Sequence, residues 1–179
     1  MKKIILISAL ASTFALANST AFAESAGSAY VGALASHYVF DIDGESDDLN
    51  PTGLTVRGGY FFTDNFAVEG RLGTGLADDN ISGTNVDVEL DQLMGVYVAG
   101  FLPVNDVFSF YGLLGFSYAE ATLSNRFASI SDDDDGFSYG AGVEFDFTQQ
   151  ISGQLEYVSY LSKSEYDLSA ASIGLSYNF

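Results

Sequence analysis

The 179-residue chain has no cysteine, one histidine and six Lys+Arg against 24 Asp+Glu. Without thiols, a disulfide framework, a thiolate metal site and a cysteine nucleophile are all excluded. So few cations exclude a nucleic-acid binder, which needs a basic face to displace condensed counterions. Also missing is an apolar run long enough to cross a bilayer as a helix. The longest, Ile4 to Ala17, has 14 residues, short of the roughly 20 required. What is present excludes a disordered acidic chain as well: 47% of residues are apolar and 15% aromatic, too much apolar surface to leave unburied. The length suits one domain.

Residues 1–23 read as a secretory signal peptide. Lys2 and Lys3 form a positive start, Ile4 to Ala17 an apolar middle, and Ala21-Phe22-Ala23 a small-residue cleavage site. Removing it leaves residues 24–179 with 4 Lys+Arg (6 minus Lys2 and Lys3) against 24 acids, a net charge of −20. The exported product is therefore either soluble or crosses a membrane with strands.

Alternation decides between the two. In Phe137 to Phe147, Phe137, Tyr139, Ala141, Val143, Phe145 and Phe147 share one face, and Ser138, Gly140, Gly142, Glu144 and Asp146 the other. Segments of this kind at 28–39, 53–62, 66–76, 88–102, 107–119, 137–147, 151–161 and 168–179 predict eight strands. Their connections alternate too: 63–65, 103–106 and 148–150 are tight turns, whereas 40–52, 77–87, 120–136 and 162–167 are longer and acidic. This rhythm predicts an all-β fold, an eight-stranded antiparallel up-and-down transmembrane β-barrel with both termini at the short-turn end. A narrow lumen takes small and polar side chains, so the bulky face points outward into lipid. In the fifth strand Phe108, Phe110, Leu114, Phe116 and Tyr118 then face lipid, and Val107, Ser109, Tyr111, Leu113, Gly115, Ser117 and Ala119 face the lumen. Aromatic girdles are expected from Phe61, Phe62, Phe66, Phe101, Phe108 and Phe147 at the short-turn end. Tyr38, Phe40, Tyr118, Phe137, Tyr160 and Tyr166 would form the other. A soluble barrel would instead put the large residues inside and leave Gly32, Gly59, Gly95, Gly142 and Gly174 to cover its outer surface.

Several stretches carry a family resemblance: YVGA (Tyr30 to Ala33), GGYFFTDNFAVEGRLGTG (Gly58 to Gly75), GVYVAGFLP (Gly95 to Pro103), FYGLLGFSYAEATL (Phe110 to Leu123) and YGAGVEFDFTQQISGQLEYV (Tyr139 to Val158). Their order and spacing resemble the small outer-membrane β-barrels of the porin family: the OmpA transmembrane domain, the OmpX/Ail group and the opacity proteins. The resemblance implies the cell outer membrane of a Gram-negative bacterium, contact with its lipid and lipopolysaccharide, and a monomer with no cofactor. The alternating C-terminus with Ile173, Leu175, Tyr177 and a final Phe179 looks like the insertion signal read by the barrel-assembly machinery.

Lumen-facing parity gathers charge inside. If Phe62 pairs with Phe66 around the first turn, Arg57 lies opposite Arg71 and Glu69 sits diagonal to Arg57. Pairing Phe147 with Ile151 sets Glu144 opposite Gln154 and Glu156 diagonal to Glu144. These two hairpins are half a circuit apart in an eight-strand ring. The expectation is a buried salt-bridge network of Arg57, Glu69, Arg71, Glu144 and Glu156 that plugs the lumen.

The loops are acidic: Asp41, Asp43, Glu45, Asp47 and Asp48, then Asp78, Asp79 and Asp87, then Asp132 to Asp135, then Glu165 and Asp167. Such runs are usually solvated surface, though carboxylates also hold Mg²⁺ or Ca²⁺ against lipopolysaccharide phosphates. Asp41 to Asp47 superficially resembles a calcium loop, but its Gly44 is misplaced, and no metal site is assigned. Catalysis is not expected. The sole His37 neighbours Ser36 on a strand, where adjacent side chains point to opposite faces. Three functions stay open: a structural or surface-interaction barrel in envelope integrity or adhesion, a narrow porin-like channel, and a lipid A-modifying enzyme.

Overall fold

The computed structural model describes residues 25–42, 52–77, 79–80, 87–124, 129–162 and 166–179. The leader 1–23 and the loop acids Asp43, Glu45, Asp47, Asp48, Asp78 and Glu165 lie outside the described residues. Eight long strands follow one another: β1 (Ala29–Ile42), β2 (Thr52–Phe61), β3 (Phe66–Ala77), β4 (Asp87–Asn105), β5 (Phe108–Ser124), β6 (Ser129–Asp146), β7 (Ile151–Ser162) and β8 (Tyr166–Asn178). A two-residue segment, Asp79–Asn80, pairs with the start of β4. Each long strand pairs antiparallel with its sequence neighbours, β3 pairs directly with β4, and β1 pairs with β8 from Tyr30↔Asn178 to Ile42↔Tyr166. The result is a closed eight-stranded barrel, which leaves no sheet edge for lipid to meet.

Side chains cap the short turns. In the β2–β3 turn Thr63 Oγ1 accepts from the Phe66 amide at 2.9 Å, and in the β6–β7 turn Thr148 Oγ1 accepts from the Ile151 amide at 3.0 Å. Asn105 Oδ1 accepts from the Val107 amide at 2.9 Å in the β4–β5 turn. These local bonds replace ladder bonds where the chain reverses, and they hold the register of the strands that follow.

Alternation is kept along the strands. On the outside, Val31, Val56, Val68, Leu72, Val96, Val98, Phe110, Leu114, Phe116, Phe137, Leu155, Ile173 and Leu175 are exposed and form an apolar belt. Inside, the barrel is filled, and here the structure corrects two sequence expectations. The first concerns the lumen, which takes large rings as well as small groups. Phe61, Phe101, Tyr38 and Tyr160, expected in the girdles, are buried inside, whereas Phe62, Phe66, Phe137 and Phe147 do face outward. Tyr30, Phe61, Phe101 and Tyr111 make a continuous chain of rings at the short-turn end, with centroids 5.7, 5.1 and 5.3 Å apart. An eight-strand barrel is just wide enough to be packed, and glycines supply the room. A Cβ at Gly59 would fall within the Tyr30 ring, at Gly95 within Tyr97, and at Gly142 within Tyr111.

The second correction concerns strand length. The stretch 120–136, expected as a loop, is mostly a hairpin: β5 and β6 pair continuously out to Ser124↔Ser129. Asp132 to Asp135 therefore lie on a strand, opposite Ala121 to Tyr118. Their charge marks them as lying in water, but backbone ladder bonds are indifferent to side-chain charge, so the strands continue past the membrane. β4, β5 and β6 reach 19, 17 and 18 residues.

Candidate functional site: the charged lumen

Two tight turns position the charged groups. The β2–β3 ladder sets Arg57 opposite Arg71, and the β6–β7 ladder sets Glu144 opposite Gln154. Both pairs point inward. Two adjacent guanidiniums need carboxylates, and these come from both near and far walls. Glu69, on the same strand as Arg71, accepts from Arg71 Nε at 2.6 Å and lies 3.3 Å from Arg57 NH1. Across the lumen, Arg71 grips Glu156 with two prongs, NH1–Oε1 at 2.5 Å and NH2–Oε2 at 2.9 Å. Arg57 NH2 approaches Glu144 Oε2 at 3.5 Å, and Gln154 Nε2 donates to that same oxygen at 2.8 Å. Arg57 and Arg71 are each 2% exposed and Glu69 1%. Charge this deep is tolerable only when paired and hydrogen-bonded.

Sequence reading missed the tyrosines and the serine that complete the cluster. Tyr30 donates a short hydrogen bond to Glu69, and Tyr111 donates to Glu156 Oε2 at 2.8 Å. Ser176 Oγ accepts from Arg57 Nε and NH2 at 3.3 and 3.2 Å. The Arg57 guanidinium lies 5.0 Å from the Tyr30 ring centre, and that of Arg71 5.1 Å from the Tyr97 ring centre, where the ring faces attract cations. Strand parity was the available signal, since Tyr30, Tyr97 and Tyr111 occupy inward positions. Nearer the long-loop end a neutral relay runs from Tyr97 through Ser117 and Ser138, at 2.6 and 2.7 Å, to the Tyr160 carbonyl at 2.7 Å. The arrangement is suited to filling and bracing a barrel.

Elsewhere, Ser36 is buried and bonds to Ser172 at 2.9 Å, while His37 faces outward. At the C-terminus Ile173, Leu175, Tyr177 and Phe179 project into the belt, and the Phe179 amide donates to the Ala29 carbonyl at 2.8 Å. Among the described residues no three His, Cys, Asp or Glu side chains converge as a metal cluster.

A closed barrel, apolar outside and polar within, matches a known sequence pattern: the family described as outer membrane protein beta-barrel domain fits residues 6–179. The chain belongs to this outer-membrane β-barrel family. Among curated relatives, the attachment invasion locus protein of Yersinia enterocolitica is 31% identical over 147 residues, covering 81% of this chain and 82% of that one. Outer membrane protein X of Escherichia coli is 27% identical over 181 residues, covering the whole of both chains. Among solved structures, Ail of Yersinia pestis in complex with the heparin analogue sucrose octasulfate superposes with a TM-score of 0.66. It has 22% sequence identity, over 86% of this chain and 99% of that one. The barrel thus sits in the outer membrane of a Gram-negative bacterium, with the Ail/OmpX group as its relatives.

Proposed function

We propose that this outer-membrane barrel is a non-catalytic surface-interaction protein: its lumen is plugged by the Arg57, Arg71, Glu69, Glu144 and Glu156 network, and its projecting strands meet a partner outside the cell. The reading rests on strand length. A spanning strand needs about 9 to 11 residues, and β4, β5 and β6 have 19, 17 and 18. The surplus lies at the long-loop end, where the β5–β6 hairpin carries Asp132 to Asp135.

Charge argues for the class of partner. The related Ail structure holds a polysulfated sugar, whereas the surplus strands here are acidic and repel polyanions. The matching partner is cationic, a basic protein segment or a surface bearing amines. Monomeric insertion by the barrel-assembly machinery through the Phe179-terminated strand, removal of residues 1–23 and contact with lipopolysaccharide belong to the same reading.

The test compares adhesion of cells displaying the barrel to polylysine-coated and heparin-coated surfaces, at low and high salt. Salt-sensitive attachment to polylysine, reduced when Asp132 to Asp135 are all replaced by Asn, is the expected result. Equal attachment by the neutralised hairpin, or preferential attachment to heparin, overturns the reading.

A further inference from the structure

The lumen carries a charge imbalance that the network does not resolve. Three buried carboxylates, Glu69, Glu144 and Glu156, face two guanidiniums. Glu69 and Glu156 make the close contacts to Arg71, and Glu144 is left with the 3.5 Å approach to Arg57. Two residues along the same face of β6 lies a further carboxylate, Asp146. The β6–β7 ladder sets Glu144 opposite Gln154 and Asp146 opposite Ser152, so the four form a square on adjacent rungs. With Asp146, the described lumen holds four carboxylates against the two guanidiniums of Arg57 and Arg71, an excess of two negative charges. Outside the leader, the remaining cations are Arg126 and Lys163. They follow β5 and β7 in sequence and lie outside the described residues.

Oxygen atoms without donors lie at the same place. Gln154 is 2% exposed, and its amide is held inside the square by Nε2 bonds to Glu144 at 2.8 Å and Ser152 Oγ at 3.0 Å. Its Oε1 is buried with no hydrogen-bond partner, and so are Oδ1 of Asp146 and, on the donor side, NH1 of Arg57, which faces Glu69 at 3.3 Å. Leaving buried acceptors unsatisfied is costly, and leaving them beside uncompensated carboxylates is more so. A single proton would neutralise one charge and satisfy one acceptor. A divalent cation answers both deficits, because it brings two charges and accepts several oxygen ligands at once.

We propose that the short-turn end of the lumen binds one divalent cation of the calcium type through Glu144, Asp146 and Ser152 Oγ, with the Gln154 amide turned so that Oε1 takes the place Nε2 holds against Glu144 and Ser152. Two carboxylates with neutral oxygens, completed by water, suit Ca²⁺, which takes six to eight oxygens in adaptable geometry. Asp146 is half-buried beside the 147–150 turn and gives the ion its route in. The bound ion ties β6 to β7 and relieves Arg57 of balancing Glu144 alone, a role beyond plugging the pore.

The experiment is calorimetric titration of the refolded barrel in detergent with CaCl2. Asp132 to Asp135 are all changed to Asn so that the outer acids contribute less. The expected result is one site per barrel, weakened about tenfold or more in Glu144→Gln and in Asp146→Asn because site affinity follows ligand charge. Gln154→Glu, which adds a carboxylate to the same square, tightens it and keeps the test decisive if either other variant fails to refold. In parallel, the same Ca²⁺ concentration raises the unfolding temperature of the parent by more than that of Asp146→Asn. Absence of binding, or binding indifferent to Glu144→Gln, Asp146→Asn and Gln154→Glu, overturns the proposal.

Discussion

Arg71 on β3 and Glu156 on β7 stand four strands apart in an eight-strand ring and meet across its full width in a two-pronged ion pair, at 2.5 and 2.9 Å. The strut joins opposite walls. It has no counterpart in any neighbouring-strand ladder, so it resists flattening of the barrel in a way that ladder bonds cannot.

Glu156→Gln leaves Arg71 buried with half its countercharge and weakens the acceptor for Tyr111. Removing one partner of a buried pair costs about 3 to 5 kcal/mol. The loss is read as a lower urea midpoint for the refolded barrel. Arg71→Met combined with Glu156→Leu costs less than Arg71→Met alone, because Glu156 is no longer orphaned and Glu69 keeps Arg57 at 3.3 Å.

The same strut bears on conduction. With Arg57, Arg71 and Glu156 in place, planar-bilayer recordings are expected to show no steady current. Arg71→Ala with Glu156→Ala opens transient conducting events. Steady ion flow through the parent barrel would favour a channel over a plugged scaffold.

Gly59 and Gly58 are adjacent in sequence and opposite in consequence. A Cβ at Gly59 collides with the Tyr30 ring, whereas one at Gly58 lies 3.8 Å from the Tyr30 carbonyl oxygen, an ordinary van der Waals distance. Gly59→Ala therefore displaces the ring from Glu69 and destabilises by about 1 to 3 kcal/mol, the usual cost of overpacking. Gly58→Ala, on the lipid face, is close to neutral. The temperature at which the compact gel band converts to the unfolded one ranks the two.

Val98 lies in the belt and is 48% exposed outside an inward-facing Tyr97 and Ala99. Val98→Arg places a charge in hydrocarbon, at a cost of about 2 to 4 kcal/mol near the bilayer midplane. Refolding yield in vesicles falls, while Asp106→Arg, in a short turn, leaves it unchanged.

Phe179 contributes one closing bond, its amide to the Ala29 carbonyl, and an edge-on contact with Tyr177 at 5.1 Å. The amide is kept in Phe179→Ala. Refolding in pure lipid is therefore expected to survive, while the amount of folded barrel assembled in cells drops. Equal assembly of both forms in cells would remove the C-terminal ring from the insertion signal.

Several elements were legible because short-range chemistry determines them. Period-two alternation assigned most strand faces, though Tyr38, Phe61, Phe101 and Tyr160 were expected in the girdles and lie inside, and the tight turns at 63–65 and 148–150 carried register inward as far as Arg57, Arg71, Glu144 and Gln154. Across longer connections this reasoning stopped. Tyr30 meets Gly59 over the link between β1 and β2, and Tyr111 meets Gly142 over the link between β5 and β6. Tyr97 meets Gly115 only after a register shift between Pro103 and Asn105. A one-residue shift changes which glycine a ring finds, so lumen packing stayed hidden although parity was plain. The same limit applied at the other rim, where a shift between Ser159 and Leu161 lets both Tyr160 and Leu161 turn inward.

From its residues alone, the chain was bound to cross a membrane by strands. Its apolar residues alternate with glycine, serine and charge, and each strand inherits one face for lipid and one for the lumen from backbone geometry. Which carboxylate each guanidinium holds, and which glycine leaves space for which ring, was decided only when the ring closed. Those contacts join strands far apart in sequence, and the circumference and stagger of the finished barrel set their distances.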